Sequence, residues 1–365
     1  MSLRNKRTGR RSGGLLMFGA VLSAAGLLLT VAPGVAVAAD AKKAPGLIAK
    51  ASVSSSQGLT AQAGQIPDRV TALCIPGVSG HNRFFNCISS RGEVVFFIIV
   101  NGVPRRVGDI TFRIEQTDEL AVKSTTVTET VYIYDIRKSG RTAPDGLALV
   151  VTCGTGCRGA SHGPVALTAG TTHRYTLHFV NSIARGRARS NTPTYLWVFT
   201  IGNPVTTRGT EWRCDDKLRH QKAGCVYASF VPTVSMAALK FIAASIRKIQ
   251  ARGGPRQLHR NSFLRDSNRA AVCNIKLPPG WKPPPGWPLP VNKPGGANEP
   301  ECDEYPFATT WEGGKRLPPS QRGTAFVPAG ENRSQGGRLN AFYLANRVLD
   351  ATSAKTKGDA FNVAA

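Results

Sequence analysis

Between Thr71 and Pro204 apolar side chains recur at every second position, and that period restricts the stretch to β-strands. Ile110, Phe112 and Ile114 alternate with Thr111, Arg113 and Glu115, and Tyr175, Leu177 and Phe179 alternate with Arg174, Thr176 and His178. Val127, Val131 and Ile133 sit among Thr and Glu in the same way. Two runs, Glu93–Val100 and Tyr195–Ile201, are nearly all apolar, as strands buried on both faces would be. Gly, Pro, Asn and Asp punctuate the gaps, so several strands joined by short turns are expected, in an antiparallel sandwich or barrel. His162, His173 and His178 stand alone among strand residues and are read as structural. The Arg185, Arg187 and Arg189 loop could touch phosphate or could simply be solvated.

The period changes after Pro204. Leu239, Ile242, Ile246 and Ile249 fall on one helical face, with Ser235 as the expected cap and Gly253-Gly254 as the stop. A second short helix is expected over Ser262–Val272. Pro278–Pro294 holds eight prolines in 17 residues together with Trp281 and Trp287, which reads as an irregular or polyproline insertion. It is either a recognition segment or a tolerated surface insertion. The expected architecture is therefore multidomain: an N-terminal all-β sandwich-like domain over 67–205, whose role is unknown, then a small disulfide-stapled α+β domain over 206–365.

The N-terminus points to export. Arg4, Lys6, Arg7, Arg10 and Arg11 precede an apolar run from Leu15 to about Ala32, and Ala36-Val37-Ala38-Ala39 follows as a small-residue cleavage site. That order is a secretory signal over 1–39 and implies a secreted, extracellular chain with no stable membrane insertion once the signal is removed. Residues 40–66, rich in Ala, Ser, Gly and Gln, are expected to form a flexible leader. Cleavage removes five of the 47 basic residues and none of the 22 acidic ones, leaving about +20. A chain this basic favours a polyanion as partner. Eight cysteines outside the cytoplasm imply four disulfides, and their spacing suggests the sequential pairs Cys74–Cys87, Cys153–Cys157, Cys214–Cys225 and Cys273–Cys302.

The residues that carry chemistry lie in the last third. Nine acidic residues stand against 15 basic ones between Arg256 and Ala365. Several of those acids fall within short motifs: Asp303-Glu304-Tyr305-Pro306-Phe307-Ala308, Glu312-Gly313-Gly314 and Glu331-Asn332-Arg333-Ser334-Gln335-Gly336. Carboxylates set in a basic surface suit phosphodiester hydrolysis, because oxygen ligands hold a hard cation while cations grip the flanking phosphates.

These three ordered blocks resemble the secreted bacterial deoxyribonucleases of the NucA/NucB type, over about Arg213 to Ala365. The resemblance implies a metal-dependent, sequence-non-specific DNA endonuclease using Mg or Mn, with DNA as partner. It implies Asp303 and Glu304 as active-site acids, with Glu312, Asn332 and Glu331 completing or supporting the site. With the resemblance, Asp303, Glu312 and Glu331 are the expected metal ligands and Arg333, Lys315, Arg316 and Arg347 the expected DNA contacts. Adjacent strand side chains point to opposite faces, so one of Asp303 and Glu304 is expected to be structural, and Asp303 is the favoured catalytic one. Glu312 is either a ligand or a turn residue. His259 is either a general base or a packing histidine. Two alternatives share much of this sequence: a non-catalytic polyanion- or DNA-binding protein, and a DNase toxin with an N-terminal targeting module. No protein partner is inferable.

Overall fold

The computed structural model describes residues 46–55, 79–291 and 295–365. The expected signal, most of the expected leader and Cys74 lie outside the described residues. Fourteen strands come first: β1 (Leu47–Ser55), β2 (Gly80–His81), β3 (Phe85–Val100), β4 (Val103–Ala121), β5 (Ser124–Gly140), β6 (Gly146–Thr152) and β7 (Cys157–Arg158), then β8 (Ala160–Ala166), β9 (His173–Asn181), β10 (Ala188–Asn191), β11 (Thr194–Phe199), β12 (Val205–Arg208), β13 (Trp212–Asp215) and β14 (Gly224–Val226). Among the described residues no helix precedes Lys240.

One sheet runs β1-β3-β4-β5-β9-β7, and a smaller one runs β12-β11-β6-β8. The long β3–β4 hairpin closes on Asn101-Gly102, both at positive φ (50° and 76°), the backbone that a two-residue turn matched to strand twist demands. Phe96, Ile110, Phe112 and Val131 from the first sheet share one core with Leu149, Tyr195, Trp197 and Phe199 from the second. The two apolar runs are buried on one face only. Val94 and Phe96 are inside while Ile99 is exposed, and Leu196 is exposed between Tyr195 and Trp197. An antiparallel sheet can leave its outer face to solvent, which explains the difference from the expected double burial.

Two boundaries move. Part of the expected leader is strand: β1 pairs antiparallel with β3, and Leu47 and Ala51 are buried in the core. Its inward positions, Leu47, Ala49, Ala51 and Val53, alternate, but small side chains gave them little apolar weight. The β-rich core also runs past 205, because Trp212, Cys214, Cys225 and Tyr227 belong to it. The Cys214–Cys225 bridge therefore staples the β-rich region and not the domain that follows. Cys153–Cys157 and Cys273–Cys302 are also bonded, and Cys87 is disulfide-bonded.

The second core, from Val234 onward, is built by β15 (Thr233–Ser235), α1 (Lys240–Ala251), β16 (Gln257–His259), α2 (Arg265–Val272), β17 (Pro300–Tyr305), β18 (Gly323–Pro328), α3 (Ala329–Ala345) and β19 (Ala360–Ala364). The last strand is the middle one: β19 lies between β15, to which it is parallel, and β16, to which it is antiparallel. Ile242, Ile246 and Ile249 of α1 pack on Tyr305, Val327, Leu339 and Phe361. Ser235 does not cap α1, whose N-cap Leu239 has no side-chain cap bond. The Pro-rich segment lies back on α1. Lys240 Nζ donates to Pro285 O, Trp287 packs on Phe241 and Trp281, and Trp281 meets Phe326.

A charged cluster joins the two cores. Arg347 is fully buried and directs all five of its N–H groups at acceptors. Nε donates to Asp215 Oδ2 at 3.1 Å, and Nη2 donates to Asp215 Oδ1 and to its backbone O. Nη1 donates to the carbonyls of Val122 and Lys222. Beside it Asp359 accepts from Arg213 at 2.7 Å and from Arg83 at 3.3 Å. Burial pulls the Arg83 guanidinium down to about 10, against the raising effect of Asp359. Truncating one member strands a buried charge, which typically costs about 3–5 kcal/mol. Arg347→Ala is thus expected to lower the denaturant-unfolding free energy by about that amount, and Asp215→Ala similarly. The double variant should lose much less than the two losses added together. Strict additivity would show that the pair is not coupled.

Candidate active site

β16 brings Leu258 into the second core and so turns His259 the other way, where its side chain is about a quarter exposed. The segment after β17 runs alongside: Trp311 N donates to His259 O, and Arg260 bridges Thr310. This segment is held by Asn268 of α2, whose Nδ2 donates to Ala308 O and Thr310 O. Gly313 and Gly314 let it pass that close. A Cβ on Gly313 would sit 2.6 Å from Asn268 Nδ2, and Gly314 has φ +66° with Asn268 Oδ1 2.7 Å from the place a Cβ would take. The Gly-Gly pair serves close packing against α2, which leaves Glu312 fixed.

Glu312 then grips one residue twice. Its Oε1 lies 2.7 Å from His259 Nδ1, and its Oε2 accepts the His259 backbone N–H at 2.9 Å. In the neutral ring a carboxylate against Nδ1 places the proton there, so that Nε2 carries the lone pair. The ring orientation is thus set from outside, an arrangement that proton transfer needs. Exposed Lys315 and Arg316 follow in the chain, with the Arg316 guanidinium stacked 4.2 Å from the Trp311 ring centre. Arg260, the next residue after His259, points inward instead. Its Nη1 donates to Val348 O, and its guanidinium covers Tyr343 at 4.4 Å.

The two acids of the Asp-Glu-Tyr-Pro block are interior residues on opposite faces of β17. Asp303 is 3% exposed. Burial and the neighbouring Glu304 charge push its carboxyl up to about 7, opposed by the nearby Gln335 amide. Glu304 is also raised by burial and is drawn back by Arg269, so it pairs electrostatically with the arginine of α2. Its Oε2 lies 3.1 Å from Cys273 Sγ. Among the described residues Cys273, Cys302 and Glu304 form the one group of three His, Cys, Asp or Glu side chains close enough to share an ion. The two sulfurs are bonded to each other and present no thiolate, so this cluster does not suit a metal.

The structure does not bring Asp303, Glu312 and Glu331 together as a set of ligands. Glu331 instead accepts from the backbone N–H groups of Phe241 and Ile242 at 3.0 and 3.1 Å, taking the free amides that begin α1. Glu331 thus takes the capping place expected of Ser235, and only the fold reveals it, since 90 residues separate the partners. Asn332 Nδ2 donates to Glu301 Oε2 at 2.9 Å. Glu301 shares the Asp303 face of β17, two residues away, and that period-two spacing was the signal that could have singled it out. Arg333 is exposed on α3, free to meet solvent or phosphate. Arg347 is not a DNA contact, because it is fully buried and its donors are spent on Asp215, Val122 and Lys222.

Residues 260–363 match the family model described as deoxyribonuclease NucA/NucB. The match begins well after Arg213 and contains all three blocks, Asp303–Ala308, Glu312–Gly314 and Asn332–Gly336. No curated protein and no solved structure matches the chain.

The raised Asp303 carboxyl has a measurable consequence. Its folded pKa lies above the unfolded one, so the stability it contributes is full below about pH 4 and is lost as pH rises through about 7. Asp303→Asn has no such loss. Between pH 5 and pH 8 the wild-type unfolding free energy should fall relative to the variant by about 2–3 kcal/mol, read from denaturant midpoints. A constant difference across that range would mean the carboxyl is not held protonated.

Proposed function

We propose that the C-terminal region is an extracellular DNA endonuclease that hydrolyses phosphodiester bonds without sequence preference, with His259 as the general base. The observation that carries this reading is the His259–Glu312 pair, an oriented imidazole whose side chain is about a quarter exposed, with exposed Lys315 and Arg316 three and four residues after Glu312. The match of residues 260–363 to deoxyribonuclease NucA/NucB supports DNA as the substrate. The disulfides suit an oxidising, extracellular setting. No helix among the described residues is long and apolar enough to cross a membrane.

In this mechanism Lys315 and Arg316 hold the phosphates flanking the scissile bond. Nε2 of His259 removes a proton from the attacking water as its oxygen bonds to phosphorus. Glu312 accepts the Nδ1–H bond and stabilises the imidazolium that results. The P–O ester bond then breaks, the leaving oxygen takes a proton from a solvent water, and the imidazolium gives its own proton up to solvent.

The family match suggests a divalent cation, and the oxygen chemistry here fits a hard one such as Mg or Mn. Each Glu312 oxygen keeps a lone pair beyond its bond to His259. Mg typically binds through one or two carboxylates, completed by water and substrate phosphate, so it needs no enclosed three-ligand cage. Glu312 is the residue that would hold it, and bound there the ion would neutralise charge on the scissile phosphate. Asp303 and Glu304 support the loop from the interior in this reading, and Asn332 fixes Glu301.

Nicking of supercoiled plasmid by the mature protein tests the assignment. Wild type should cut in Mg or Mn and stop in chelator. His259→Ala should cut at least about 100-fold more slowly, and Glu312→Gln should also be strongly impaired. Unimpaired cutting by His259→Ala would move the site elsewhere.

A further inference from the structure

We propose that the β-rich region supplies half of the DNA-binding track, through a cationic cleft where it meets the nuclease region. The cleft holds about 870 Å³. Lys123, Lys217, Arg219 and His220 line one wall, all from the β-rich region, and Ser262 and Asp350 line the other. Arg260, next in sequence to His259, also lines it, while the His259 side chain is not on the lining. This inference rests on the nuclease reading, because it takes the phosphodiester backbone of that same substrate as the occupant.

Three observations support a backbone-binding surface. First, the charge is uncompensated. Lys123, Lys217 and Arg219 are exposed and make no ion pair among the described residues. Asp350, the one acid on the lining, is engaged within its own wall by the Ser262 backbone N–H and hydroxyl and by the Ala351 N–H. Second, the cationic wall is rigid. Lys217 and Arg219 lie in the loop closed by Cys214–Cys225, and Asp216 is tied to the Gly186 turn by two backbone hydrogen bonds. Arg347 reaches across from the nuclease region to the carbonyls of Val122 and Lys222, which fixes both the strand turn carrying Lys123 and the far end of the loop. Third, Phe263 stands 59% exposed at the same cleft, an apolar face of the kind that nucleobases stack on. Fixed cations facing a polyanion bind it chiefly by releasing counterions, so their contribution appears in the salt dependence.

The test is fluorescence anisotropy of a labelled DNA duplex titrated with full-length mature protein in chelator, where nothing is cut, across a series of salt concentrations. The paired substitution Lys217→Glu with Arg219→Glu should weaken binding by at least about tenfold. It should also lower the slope of log affinity against log salt by about 2, near 0.9 for each phosphate no longer neutralised. Lys123→Glu, on a separate turn, should lower the slope by about 1 and serves as an independent probe if the loop variant proves unfolded by thermal melting. Arg105→Glu, exposed on β4 outside the cleft, is the control and should leave the slope unchanged. Unchanged slopes in the cleft variants, or an equal drop in the control, would overturn the proposal and leave only diffuse charge. Wild type that binds the duplex and never nicks plasmid would instead sink the nuclease reading and leave the cleft standing.

Discussion

Arg347 against Asp215 is the contact on which the rest of this structure depends. A guanidinium removed from water is tolerated only when every donor is met, and here the acceptors come from three separate places: Asp215, the turn at Val122 and the loop at Lys222. All three belong to the β-rich region, while Arg347 follows α3 of the nuclease region. Asp359 repeats the arrangement in reverse, as an acid of the nuclease region held by Arg83 and Arg213 of the other. The two cores are thus joined by ions that neither could bury alone. Geometry of this kind tolerates little sliding, which gives the surfaces flanking the joint a fixed spacing.

From the joint the constraint passes toward the chemistry. The Asp359 carboxylate also accepts the Leu349 backbone N–H, its own N–H donates to Leu349 O, and its carbonyl accepts the Arg260 N–H. Arg260 follows His259 directly. The histidine is therefore positioned from two sides, by Glu312 on its ring and by the β16–β19 ladder and Asp359 behind its backbone. The acids of the Asp-Glu-Tyr-Pro block stand deeper. They carry a desolvation cost of their own, and α2, the Cys273–Cys302 bridge and Gln335 enclose them. A motif rich in carboxylates can thus be largely interior, with its least buried relative, Glu312, meeting the imidazole.

What could be read from the sequence follows from the range of each interaction. Strand periodicity and the helical face of α1 are local, and they were legible. So were the Glu312-Gly313-Gly314 block and the split of Asp303 and Glu304 to opposite faces, because strand alternation is a two-residue rule. The partner of Glu331 was not legible, since an acid beside Asn and Arg looks like a ligand until the fold sets it at the start of a helix 90 residues earlier. Arg347 misled for the same reason: an arginine in a basic domain resembles a phosphate grip, and nothing local says it is buried. β1 was missed because Ala and Ser carry an alternating pattern with almost no hydropathy contrast.

The position of β19 has a consequence for how the second core is tied together. It is the central strand of its sheet although it comes after both neighbours in the chain, and β15 and β16 have no hydrogen-bonded contact with each other except through it. Ala360–Ala364 pairs the strand that ends in His259 on one side, the Trp311 N–H meets the His259 carbonyl on the other, and Asp359 ties down Arg260. Loss of Ala360–Ala364 would leave β15 and β16 unjoined and remove the backing of His259, with only Glu312 and the Trp311 segment left to hold it. Residues far apart in the sequence therefore have to meet on β19 before His259 is held from both sides.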